Sequence, residues 1–346
     1  MEVCSHNGFD PNTILLKING TNCNLNCVYC SETKKEYKQS MCSKECDKII
    51  SLLPSSCDII LHGGEPLLDI NNVNTAISAF RRKSNGHKLS IQTNGYIGQD
   101  IKQLLIENRD ILRIGISTDG PREQNSLRRR YDNESVFDTV DETISFFEQH
   151  NVDIKCIATV NSISLSDPTG TLKYFISHKN IKQVRFNPCF DVSGGALATY
   201  SILPSQFLEY LLKITEYWIH NRVYKNVRID PIQAEFEAAI RPVVKPHTNC
   251  CKFVSVYPGG QSTICDALGI KDFKPHSFST IFEDAEGAFR DELQSPCMTC
   301  SEFLDCGGGC IAIFKRFKES KDLMQDYCNY RKKLKQYIKC IVTELM

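Results

Sequence analysis

Six short apolar runs punctuate the first half of the chain: TILLKI (13–18), CDIILH (57–62), KLSIQT (88–93), LRIGIS (112–117), DIKCIATV (153–160) and KQVRFN (182–187). Ile, Val and Leu dominate them, which predicts strands buried on both faces. Between them, apolar positions recur with helical spacing. SKECDKIISLL (43–53) carries Ile49, Ile50, Leu52 and Leu53, and NNVNTAISAFRR (71–82) sets Val73, Ile77 and Phe80 on one face. SVFDTVDETISFFEQH (135–150) does the same with Val136, Val140, Ile144 and Phe147. Strands alternating with helices predict parallel βαβ units in an α/β fold. Six units are too few for a closed eight-fold barrel and suit an open or partial one.

After about residue 200 the pattern changes. LPSQFLEYLLKITEYWIHNRVY (203–224) reads as a long helix, and from about 246 cysteine, glycine and proline replace long periodicity. QDYCNYRKKLKQYIKCIVTEL closes the chain as a helix. The expected division is a barrel over 13–200, a helical linker over 201–245, a metal-held domain over 246–332 and a C-terminal helix over 333–346.

Charge excludes more than it suggests. Lys+Arg and Asp+Glu both number 41 in 346 residues, so no basic excess points to nucleic acid or acidic lipid. No stretch reads as a signal peptide or a membrane span, so a cytoplasmic protein is expected. The 18 cysteines are the anomaly. In a reducing compartment they point to metal or redox chemistry instead of disulfides.

Their spacing sharpens this. Cys23, Cys27 and Cys30 follow the first strand as C-x3-C-x2-C. Loops at strand carboxyl ends form the active face of parallel barrels. Three thiolates can hold three irons of a four-iron cluster and leave the fourth iron open. A structural zinc site normally takes four protein ligands.

The stretch CNLNCVYC resembles the signature of the radical S-adenosylmethionine (SAM) enzymes, with Tyr29 before the third cysteine. The resemblance implies a partial (β/α)6 barrel. It also implies a [4Fe-4S] cluster whose open iron chelates SAM, and cleavage of SAM to a 5′-deoxyadenosyl radical that abstracts a substrate hydrogen. An electron donor such as flavodoxin or ferredoxin would reduce the cluster. Further matches follow in order. HGGEP (62–66) implies that Gly63, Gly64 and Glu65 hold the SAM amino group, and QTNG (92–95) implies that Thr93 and Asn94 line the site. ISTDGP (116–121) implies ribose contacts from Ser117 and Asp119. Relatives continue with His-Asp and an arginine for the SAM carboxylate. Here Asn125-Ser126 stands in that place, and spacing points to Arg129, open by one position within the triplet 128–130.

The C-terminal segment reads CCKFVSVYPGGQSTIC (250–265), then CMTCSEFLDCGGGC (297–310), then Cys328. This resembles the SPASM domain of radical SAM peptide maturases, which implies two auxiliary [4Fe-4S] clusters. Cluster I would take Cys250 or Cys251 (or both), Cys265 and Cys310, leaving an open iron as an alternative; cluster II would take Cys297, Cys300, Cys306 and Cys328. Zinc in either site is the structural alternative. Asp266 follows Cys265, and the resemblance to anaerobic sulfatase maturases implies a catalytic base there.

The leading expectation is a radical SAM/SPASM maturase that oxidises or crosslinks residues of a ribosomally made precursor peptide, through cyclophane or thioether links. With the first strand starting at residue 13, no N-terminal leader-recognition domain is expected. The alternatives are an anaerobic sulfatase maturase forming formylglycine, oxidation of a small-molecule alcohol, and a non-catalytic iron–sulfur or zinc protein.

Overall fold

The six predicted strands form within one residue of their expected bounds: β1 (Thr13–Lys17), β2 (Asp58–His62), β3 (Leu89–Thr93), β4 (Leu112–Ser117), β5 (Ile154–Val160) and β6 (Ile181–Pro188). The computed structural model describes residues 13–32, 35, 37–53, 57–83, 89–193, 196–241, 253–263, 265–267, 276–277, 300–302, 306 and 309–345. The strands pair in sequence order, all parallel, from β1 to β6. Five helices return the chain between them: α1 (Ser43–Leu52), α2 (Ile70–Lys83), α3 (Gln99–Glu107), α4 (Phe137–Gln149) and α5 (Pro168–Ser177). The sequence pattern showed α1, α2 and α4. It missed α3 and also α5, although Asp167 caps α5 by accepting from the Gly170 N–H at 2.8 Å and Pro168 opens its first turn.

The sheet extends past six strands. After a small hairpin of β7 (Val192–Ser193) and β8 (Ala196–Leu197) comes α6 (Pro204–His220). Then β9 (Arg228–Asp230) adds in parallel to β6, followed by α7 (Ile232–Ile240). At the other edge β10 (Phe253–Val256) lies parallel to β1, and β11 (Gln261–Thr263) and β12 (His276–Ser277) continue antiparallel. The segment expected to be only helical therefore supplies a strand, and the cysteine-rich segment joins the sheet beside β1. The ten strands form an open sheet ending in β12 and β9. α8 (Ile311–Phe317) and α9 (Lys321–Leu345) follow, α9 lying on α6 and α7. Among the described residues no helix is long and apolar enough to cross a membrane.

The expectation of strands buried on both faces holds for β1, while β2, β3 and β5 alternate. One row packs under the helices: Ile14, Leu16, Ile59, Leu61, Leu89, Ile91, Ile114, Ile116, Cys156 and Ala158. By the two-residue period, the opposite row ends in Lys17, His62, Gln92, Ser117, Thr159 and Asn187. An unclosed barrel has no need of an apolar filling. Its inner face is polar at the carboxyl ends of the strands, and that is where the site lies.

Candidate active site

The cysteine loop leaves β1 and is seated before its first thiol. Gly64 N–H donates to Gly20 O at 2.9 Å, Glu65 N–H to Asn22 O at 2.7 Å, and Thr21 N–H to Tyr37 O at 2.7 Å. Gly64 has to be glycine, because a Cβ there would sit 1.9 Å from Asn22 O. Gly64→Ala is expected to cost about 1–3 kcal/mol or more by displacing this backbone. Gly98→Ala, with nothing within 4 Å of the added Cβ, should cost under about 1 kcal/mol. Urea midpoints of the two variants check this, and equal midpoints would remove the steric argument.

Glu65 braces the loop from beneath. Its buried carboxylate accepts from Leu67 N–H (3.0 Å), Thr93 Oγ1 (2.9 Å) and Asn94 N–H (2.7 Å). Burial pushes its pKa up to about 7 against those donors. Asn94 reaches on to the loop, with Nδ2 2.7 Å from Asn24 Oδ1 and 3.6 Å from Cys23 Sγ. Gly63, Gly64, Glu65, Thr93 and Asn94 thus back the start of the loop, and Asn94 alone of them is seen to reach the first thiol. Ser117 sits on the inner row and accepts from Gln92 Nε2 at 2.9 Å.

The other side of the loop rests on residues 127–129. Asn26 N–H donates to Arg129 O (2.8 Å) and Val28 N–H to Leu127 O (3.0 Å). Arg128 is buried and its Nη1 donates to Tyr29 OH at 3.1 Å, while Tyr29 donates to Asp119 Oδ2. Thr159 N–H donates to Asp119 Oδ1 at 2.9 Å. Burial raises the Asp119 pKa, opposed by Arg128 and the Tyr29 hydroxyl. The charge beside Cys27 is therefore Arg128, whereas Arg129 supplies a carbonyl to the loop. Asn125, where relatives carry histidine, accepts from Asp119 N–H (3.0 Å) and donates to Gly120 O, which holds the turn that presents Asp119.

Sequence reasoning missed a charged knot at the barrel mouth. Lys17 is fully buried, with Nζ 2.5 Å from Asp266 Oδ1, 3.0 Å from Glu32 Oε2 and 3.3 Å from His62 Nδ1. Lys35 pairs with Glu32 and donates to the Asp266 carbonyl. Burial alone would lower the Lys17 pKa, but Asp266 and Glu32 hold it above its ordinary value. Burial alone would raise the Asp266 pKa, but Lys17 and Lys35 hold it far below the usual carboxylate range. A carboxylate so paired is a weak proton acceptor, so a base role requires the pairing to loosen when substrate enters. The available signal was Lys17 itself, a lysine ending an otherwise apolar strand.

Burial and Lys17 lower the His62 pKa to about 4. The unfolded chain then takes up a proton near pH 6.5 that the folded chain refuses, so stability falls as pH drops through that window. His62→Gln is expected to remove roughly 1 kcal/mol of the loss between pH 7.5 and 5.5. Urea midpoints at the two pH values measure it. An unchanged pH slope would mean that His62 titrates alike in the folded and unfolded chain.

Of the C-terminal cysteines, Cys265, Cys300, Cys306, Cys310 and Cys328 are described, while Cys250, Cys251 and Cys297 lie outside the described residues. α9 gathers three of the five. Tyr327 OH accepts the Cys310 N–H at 3.0 Å, Arg331 Nε lies 3.2 Å from Cys306 Sγ, and Cys328 stands between these two helix residues. Cys265 precedes Asp266 at the barrel mouth. Cys189, next to the mouth in sequence, is buried with Sγ 3.8 Å from Ser201 Oγ.

These residues fit the implied groups. The first loop offers three thiols, and the buried Nε atoms of Arg128 and Arg129 beside it lack an acceptor. Among the described residues no three such side chains converge tightly enough for one metal ion. A four-iron cube spreads its thiolates over separate corners and needs no such convergence.

The description "Radical SAM superfamily" matches residues 19–160. The cysteine-type anaerobic sulfatase-maturating enzyme of Clostridium perfringens is 24% identical over 362 residues, covering 94% of this chain and 96% of that enzyme. The structure of native anSMEcpe with bound AdoMet and Cp18Cys peptide has a TM-score of 0.78 at 22% identity, over 97% of this chain and 99% of that one. Streptococcus suis SuiB bound to precursor peptide SuiA has a TM-score of 0.66 at 14% identity, over 88% and 74%. With its cysteine loop inside the matched segment and its likeness to sulfatase maturases running nearly end to end, this chain carries a radical SAM domain over residues 19–160.

Proposed function

We propose that the enzyme oxidises a cysteine or serine side chain of a polypeptide to the aldehyde of formylglycine. The observation that carries this reading is the likeness to the sulfatase-maturating enzyme across 94% of this chain and 96% of that one. Peptide crosslinking, the leading expectation from sequence, becomes the second reading. It is supported by the shared fold of SuiB, which this chain covers to 74%.

Cys23, Cys27 and Cys30 would hold the four-iron cluster, which with SAM supplies a hydrogen-abstracting radical. Glu65, through Thr93 and Asn94, fixes the loop from one side, and the Asp119–Tyr29–Arg128 chain fixes it from the other. Arg128 and Arg129 present unpaired N–H groups where an anionic SAM carboxylate would be welcome. Cys265, Cys300, Cys306, Cys310 and Cys328, with Cys250, Cys251 and Cys297, would hold auxiliary clusters that accept the substrate's second electron. A flavodoxin or ferredoxin would supply electrons from outside. Asp266 would take the released proton once the Lys17 and Lys35 pairing loosens. In balance, the side-chain carbon loses one hydrogen atom, and the resulting radical then gives up an electron while its hydroxyl or thiol gives up a proton. A serine gives the aldehyde directly, and a cysteine gives a thioaldehyde that water converts with loss of hydrogen sulfide.

The test incubates reconstituted enzyme, SAM and a strong reductant with the Cp18Cys peptide and its serine counterpart. Aldehyde trapped by a hydrazide probe supports the reading. A product lacking two hydrogens that does not react with hydrazide replaces it with crosslinking. Asp266→Asn is expected to slow aldehyde formation about 100-fold with SAM cleavage retained. Full product from that variant would remove the base role.

A further inference from the structure

α9 carries a cation in an unusual setting. Arg331 is mostly buried, and among the described residues no carboxylate pairs with it. Among the described residues its guanidinium turns to Cys306: Nε lies 3.2 Å from Cys306 Sγ and Nη2 donates to Cys306 O at 2.7 Å. The neighbours Tyr327 and Tyr330 are buried phenols. A buried guanidinium without an anion is costly. The group on hand to balance it is the Cys306 sulfur and whatever that sulfur binds.

The placement is firm. Asp326 on α9 accepts from Ser205 N–H and Oγ, both at 3.0 Å, at the start of α6. Lys335 pairs with Glu235 of α7 at 3.0 Å. These anchors flank Arg331 and fix the height at which its fork meets the cysteine. Gly309 keeps the far side close, since a Cβ there would lie 3.0 Å from the Tyr327 ring. Tyr327 in turn receives the Cys310 N–H. One helix face therefore holds both Cys306 and Cys310 in place.

We propose that Arg331 is a positioning residue that raises the reduction potential of the auxiliary cluster held by Cys306. This rests on the auxiliary-cluster reading above. A cluster ligated by thiolates is anionic and gains one more negative charge on reduction. A fixed cation with an N–H···S hydrogen bond favours the reduced form, because hydrogen bonds to sulfur and local charge set these potentials. The cluster then accepts an electron more readily, as the last step of a substrate oxidation requires.

The experiment uses the reconstituted enzyme and its Arg331→Gln and Arg331→Lys variants. It counts iron and sulfide and follows a reductive titration by electron paramagnetic resonance. Arg331→Gln is expected to keep its iron. The equilibrium constant for reducing one cluster should fall at least tenfold, a shift of about 59 mV to more negative potential. Arg331→Lys, which keeps the charge and loses the fork, should shift less. All midpoints unchanged at full iron content in Arg331→Gln would overturn the proposal. If that variant loses iron, the wild type decides: the lack of an exchangeable guanidinium proton coupled to the reduced cluster in its resonance spectrum overturns it equally. Cys306→Ala separates the two levels. Loss of iron supports a cluster at this site, and unchanged iron removes the auxiliary cluster and the proposal with it.

Discussion

Replacing Cys23, Cys27 and Cys30 together with alanine is expected to reduce 5′-deoxyadenosine formation to the no-enzyme level and to lower iron by about four atoms per chain. The fold should survive, because the loop's seat rests mainly on backbone bonds. Gly64 to Gly20, Glu65 to Asn22 and Thr21 to Tyr37 are backbone bonds, and Arg129 and Leu127 grip the loop the same way. The outer shell of the barrel is a separate apolar layer built from Ile14, Leu16, Leu61 and Ile91. Cys156→Ala is the control. That thiol is buried in the helix-facing row, where burial pushes its pKa above the ordinary thiol value, as for a packing residue. It should lose no iron. Iron and nucleoside both undiminished in the triple variant would mean that the catalytic cluster sits on other cysteines.

How far the sequence foretold this depends on the range of each signal. The six inner strands were legible because each gathers several branched apolar residues in a short run. β9 and β10 were not, since three or four residues carry too little pattern. The polar inner row was half-visible: Ser90 and Gln92 alternate within β3, and that alternation already spoke against burial on both faces. The motif residues could be placed by spacing because each ends a strand. The choice between Arg128 and Arg129 could not, as adjacent arginines differ only in the direction their backbone gives them. The role of Asn125 is visible only in the fold, where its amide ties the turn that follows Asp119. Asp266 was flagged through its neighbour Cys265. Its partners Lys17, Glu32, Lys35 and His62 come from distant stretches of chain, and only the folded sheet assembles them.

That assembly yields the largest stability effect. Lys17→Met is expected to lower unfolding free energy by about 3 kcal/mol, because it leaves Asp266 and Glu32 at the barrel mouth with Lys35 as their one remaining lysine partner among the described residues. Adding Asp266→Asn should recover a good part of the loss, since a neutral amide tolerates the missing charge. This cycle separates a charge effect from a packing effect. Methionine fills nearly the volume of the lysine stem, so a pure packing role predicts a small single-variant loss and no recovery. The sign of recovery also bears on function. Lys17 joins β1 to the segment after Cys265, so its ion pair ties the catalytic sheet to the residues expected to hold an auxiliary cluster. If the double variant regains stability but still fails to couple SAM cleavage to substrate oxidation, the pair is needed for chemistry as well as for anchoring. If it regains both, Asp266 serves to hold the segment in place, and the proton acceptor must be sought elsewhere on the inner row, where His62 is the neutral base beside it.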